Sequence, residues 1–268
     1  MARRGIVRGA LVGTLRGRRL WLVQFFANPL VAALFAVWLL IPVATKLYVV
    51  LNVLVALVIV ILVIVLHGGT LNYFHDRDWD EGAPLKASLG RALRHVLAIA
   101  VCVGVFYLLW LLMDRVDAYS DALPAYLRST MPVFLRRHIT LAFLQSTYTW
   151  IAFAVRWLVI PGLILPFVMA TADLGFRGFW RAGFACWRRA VWCLAYWFLL
   201  AAAVLAGVLA APAIFGWTPN FATSTFRFET LSLVVRAICA YELALWAWML
   251  ACYAVTRAAS ERGELATH

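Results

Sequence analysis

Arg156 and Glu242 sit where a bilayer would least tolerate them, each about ten residues inside a long apolar run. A charge at the centre of a membrane helix costs about 2.5–3.5 kcal/mol. The nine Leu, Ile and Val residues of the run that holds Glu242 return only about 4 kcal/mol. Such a residue must be paired, protonated or wet. Gln145, Thr149 and Arg156 follow the spacing i, i+4, i+11, which makes one polar stripe on a helix. The stripe is expected to face Glu242 and Tyr241 in a bundle interior. That arrangement would be an ion pair setting helix register, or a ligand or proton site.

Other candidate chemistry is thinner. His67 and His95 end two apolar runs on the same side, a possible haem or chlorin pair. Membrane-edge histidines are ordinary interfacial residues, so no cofactor is expected. Asp76, Asp78, Asp80 and Glu81 cluster without the Gly and closing Glu of an EF-hand loop, so they read as a solvated loop and no metal is expected. The five cysteines form no CxxC pair and read as small buried side chains. The chain has no GxxxxGK[ST], HExxH, GxSxG or GxGxxG motif, and no catalytic residues are assigned.

The elements that must carry these residues are apolar. Hydrophobic residues make up 65% of the chain and charged residues 13%, with a mean hydropathy of +0.89. A soluble domain sits near 45–50% and about 25%. Six runs, about residues 20–43, 47–66, 96–113, 139–172, 191–211 and 231–255, are long enough for about 30 Å of hydrocarbon. The expected fold is an all-α integral membrane protein of six transmembrane helices with short interfacial amphipathic helices. Residues 1–19 form a basic Gly-repeat leader, 20–256 the membrane domain and 257–268 a tail. The fourth run exceeds one simple crossing. It is expected to start as an interfacial turn and to cross from about Gln145, with Pro161 and Pro166 loosening its inner half.

Lys and Arg divide 16 to 6 between the two sides if the N-terminus is cytoplasmic. That bias predicts both termini inside a bacterial cytoplasmic membrane. The net charge of +12 is assigned to topology and anionic lipid rather than to nucleic acid, because no polar domain presents a groove.

Two inside loops look like interfacial helices. In 176–187, Phe176, Phe179, Trp180, Phe184 and Trp187 share a broad face, while Arg177, Arg181 and Arg188 point toward anionic headgroups. Residues 84–95 offer Lys86, Arg91 and Arg94 in the same way. In the leader, Gly5, Gly9, Gly13 and Gly17 recur every four residues, a smooth stripe that admits close helix packing. Each glycine also weakens a helix by about 1 kcal/mol, so a flexible basic leader is the competing expectation.

The loop after the second run begins HGGTLNYF (67–74) and passes through GRALRH (90–95). The loop after the fourth follows LPFVMATADLGFRGFWRAGFACWRRAVW (165–192). With a proline-bearing fourth run and a short Gly-x-x-x-Ala-x-Arg helix, the layout resembles the bacterial six-span membrane-domain superfamily. That superfamily is found fused to glycerophosphodiester phosphodiesterases and as stand-alone chains. The resemblance implies a fold. The phosphodiesterase activity of fused relatives belongs to a soluble domain and is not carried over. The two loops also echo one another, which suggests a parallel duplication of runs two and three in runs four and five.

The function expected on these grounds is a non-enzymatic membrane scaffold or accessory subunit, packing with anionic lipids and with a membrane-protein partner or its own copy. The second expectation is a small permease or lipid-handling protein that uses an Arg156/Glu242 interior.

Overall fold

Backbone polar groups in a long apolar run are satisfied within the segment only by coiling. The computed structural model describes residues 9–10, 12–15, 17–42, 44–76, 85–218 and 226–264, and it is all-α, with no strand among the described residues. Six helices are long and apolar enough to cross a membrane. The first five are Arg18–Leu39, Lys46–Asp76, Val96–Asp117, Leu141–Leu174 and Leu194–Gly216. The sixth span lies in the helix Phe226–Glu264.

The fourth span is one continuous helix, Leu141–Leu174, from its first turn. Thr140 caps it, its hydroxyl accepting from the Phe143 amide at 3.1 Å. The helix widens to a π turn over Val155–Val159, just before Pro161. A proline ring collides with the carbonyl four residues back, and the wider turn relieves that contact without ending the helix. Leu205–Ala210 widens in the same way ahead of Pro212.

Packing divides the bundle into two halves. Along the second span, residues 47–65 are mostly exposed, whereas Leu66 and residues 68–74 are buried. Leu40 is 81% exposed and Leu47 75%, at the end away from the core. The large buried side chains, among them Leu71, Tyr196, Met249, Leu250 and Val255, gather at the opposite end. Exposed apolar helix suits lipid, so the first half is the lipid-facing one and the second is a protein-packed cap. The Tyr196 hydroxyl donates to the Gly162 carbonyl at 2.7 Å, so the fifth span begins well up the fourth. The rest of the fourth span, down to Leu174, lies within the cap.

The second and fourth spans both end in the cap. Each is followed by a short helix, Leu85–Arg94 or Gly183–Val191, and a tight turn into the next span. Close approach there rests on glycine. A Cβ on Gly178 would lie 1.9 Å from the Ala170 carbonyl oxygen, and Gly175 turns the chain at φ 64°. The two hairpins therefore run in the same direction, each with a short helix before the next span.

The N-terminal segment also joins the cap. Residues 9–10 and 12–15 are helical, and a Cβ on Gly13 would come within 2.7 Å of the Tyr253 ring. Gly9 faces the Tyr253 hydroxyl. Gly17 instead caps the first span, and Gly5 lies outside the described residues.

Candidate functional site

The polar stripe of the fourth span faces the third span, not the sixth. Arg156 Nη2 lies 2.6 Å from Asp114 Oδ1 and 2.9 Å from Asp117 Oδ2. Its guanidinium sits 5.4 Å from the Trp110 ring centroid. Gln145 donates to Asp121 at 3.1 Å, and Tyr148 donates to the Val116 carbonyl at 2.5 Å. Thr149 turns back onto the Gln145 carbonyl at 2.9 Å. The expected Arg156–Glu242 site is thereby corrected. The third helix continues to Asp117, so carboxylates that read as an outside loop sit at i, i+3 on one face beside Arg156. Arg156 is about 9 Å along the helix from Gly162, which puts the ion cluster in the lipid-facing half.

Glu242 and Tyr241 pack elsewhere. Glu242 lines a shallow pocket with Leu15, Arg18, Trp21 and Leu22. The Tyr241 hydroxyl lies 3.0 Å from the carbonyls of Gln24 and Phe25, and can donate to one at a time. Gln24 in turn donates to the Thr70 hydroxyl at 2.5 Å. These contacts join the first, second and sixth spans, and Arg18 supplies positive charge near Glu242.

Among the expected lipid-contacting residues, Arg91 is taken up inside the cap. Its guanidinium binds Asp76 at 2.5 Å and Asp173 at 2.6 Å, while Ser88 donates to Asp76 at 3.0 Å. Burial works against the Arg91 charge, but hydrogen bonds and attraction from both carboxylates outweigh it and raise its pKa. Arg91 thus ties the second span, its linker and the fourth span together, and both Nη atoms are turned away from lipid phosphate. Lys86, Arg94, Arg177, Arg181 and Arg188 remain exposed. Asp78, Asp80 and Glu81 lie outside the described residues. Among the described residues no His, Cys, Asp and Glu group is arranged to hold a metal ion. His67 packs on Trp248 and His95 lies against Gly175.

A cavity of about 560 Å³ lies between the second, third, fourth and sixth spans. It follows the third span from Ile99 to Trp110, a rise of about 16 Å. Leu71 and Ile99, both fully buried, close it toward the cap. Val63, Val103 and Tyr107 are exposed at its side and open it toward lipid. No Asp, Glu, Lys or Arg lines it. Near the cap, His67 Nδ1 and Trp248 Nε1 are both buried without a hydrogen-bond partner, and their rings meet edge to face at 5.0 Å. At the far end stands Trp110, which also carries the Arg156 contact and stacks edge-on with Trp157 at 4.9 Å.

Comparison with protein-family models, curated proteins and solved structures finds no match. The site therefore has to be read from its own chemistry. Asp114 and Asp117 were missed in the sequence, where their i, i+3 spacing just past the third run was the signal that could have found them. Trp248 had no such signal, because an aromatic residue in an apolar span shows nothing of an unsatisfied N–H.

Proposed function

We propose that this protein binds lipid within the membrane, holding a hydrocarbon chain in the cavity between spans two, three, four and six. The observation that carries the reading is the shape and lining of that space. Its volume of about 560 Å³ falls in the range of ligand sites, and its walls are apolar over about 16 Å of the third span. Exposed Val63, Val103 and Tyr107 let a chain enter from the bilayer without crossing water. The basic side chains exposed on the cap fit a cytoplasmic face in contact with anionic headgroups, with both termini on that side.

Ile164 lines the cavity in the fourth span. Ile164→Trp adds bulk there without adding charge. Purified gently and extracted for mass spectrometry, the native chain should retain about one lipid per copy, of the kind a pocket this size holds. The variant should retain far less while eluting as the same species. Equal retention by both would refute lipid binding at this place and leave the scaffold role as the better reading.

A further inference from the structure

The cavity has one chemically distinct end. Trp248 Nε1–H can only donate, and it is buried without an acceptor. His67 Nδ1, on the ring packed edge-on against it, is also buried and unmatched, and can donate or accept. A buried polar atom left unmatched is costly, and because His67 and Trp248 have adjoining rings and both line this cavity, one partner bound there could serve both. That partner must present an acceptor atom.

The rest of the wall restricts what carries the atom. No cationic side chain lines the cavity, so a carboxylate or phosphate would bring an uncompensated charge into an apolar space. Buried Leu71 and Ile99 close the cavity beside His67, leaving no room for a bulky headgroup. His67 lies nine residues, about 13 Å, from Asp76 at the outer end of the same helix, so a headgroup held there could not reach the cap surface.

Resting on the lipid-binding reading above, we infer that the cavity selects an uncharged long-chain lipid, one carbonyl or hydroxyl oxygen of which is held by Trp248 Nε1 and His67 Nδ1. A long-chain alcohol, an alkyl quinone and a diacylglycerol all supply this chemistry.

The test uses the full chain, delipidated in detergent, and measures retention of each probe. The probes are hexadecanol, a decyl benzoquinone and dioleoylglycerol, with hexadecane and palmitate as controls. At least one oxygen-bearing neutral probe should bind about tenfold tighter than hexadecane, a ratio expected for one or two hydrogen bonds. Whichever of the three is retained identifies the source. Trp248→Phe, which keeps a ring, and His67→Leu should each weaken that probe about fivefold to tenfold and leave hexadecane unchanged. Equal binding of hexadecane and the neutral probes, or no effect of Trp248→Phe, overturns the polar selection. If Ile164→Trp still blocks hexadecane in that case, the lipid cavity itself survives. Tightest binding by palmitate overturns the uncharged class. Absence of binding by every probe overturns both readings.

Discussion

Removing Arg91 should loosen the cap more than any other single loss of charge. Its two ion pairs measure 2.5 and 2.6 Å, and the three side chains are between 21% and 29% exposed. A charge-assisted hydrogen bond contributes about 1.5–3 kcal/mol, and partial exposure favours the lower figure. Two bonds then give about 3 kcal/mol. Arg91→Met also leaves Asp76 and Asp173 facing each other, so the total should be about 3–4 kcal/mol. For a chain of this size that lowers Tm by about 6–12 °C. Asp173→Asn, which spares the Asp76 bond, should cost about half as much. The triple variant R91M/D76N/D173N should recover most of the loss, because no unpaired charge remains. Thermal unfolding in mild detergent, followed by circular dichroism and by labelling of buried Cys102, measures each step. The raised pKa of Arg91 means its stabilisation is present below its ordinary range and is lost only as pH rises through the raised value. Mild alkali, about pH 7 to 10, should therefore not release it. A coupling energy below about 0.5 kcal/mol in the Arg91–Asp173 cycle would show that the cluster is no clamp.

Three further outcomes follow from the same geometry. Gly178→Ala places a methyl against the Ala170 carbonyl and should cost more than about 3 kcal/mol, whereas Gly104→Ala, mid-helix with open space around it, should stabilise by up to about 1 kcal/mol; matched thermal melts decide it. Gly13→Val should press on the Tyr253 ring and free the N-terminal segment to protease, and Tyr253→Ala should restore much of the protection lost. Arg156→Gln and Asp114→Asn should be non-additive, with Asp114 partly solvated and the coupling near 0.5–1 kcal/mol, while Arg156→Gln and Glu242→Gln should add independently. Strong coupling in the second pair would restore the Arg156–Glu242 pairing that the fold replaces.

Much of the architecture was legible in the residues alone. Hydropathy is a local property, so six apolar runs become six spans whatever surrounds them. Pro161 and Pro212 likewise act on their own helices, and the backbone widens just before each. The partners were not legible. Arg156 needed a carboxylate, but which one depended on how far the third helix runs and which neighbour it meets. Arg91 carries the same basic signature as Arg94, three residues on, yet one is bound by two aspartates in the cap and the other is exposed.

The sequence by itself determined the class, the number of spans and the need to compensate Arg156, because each follows from the free energy of placing a given side chain in hydrocarbon. Tertiary structure decided the rest. It moved the acidic partner from Glu242 to Asp114 and Asp117, and it turned Gly9 and Gly13 onto Tyr253. It also left His67 Nδ1 and Trp248 Nε1 unmatched at the end of a cavity. Ion pairing, close packing and unsatisfied polar atoms depend on distances between segments far apart in the chain, and those distances exist only once the helices have packed.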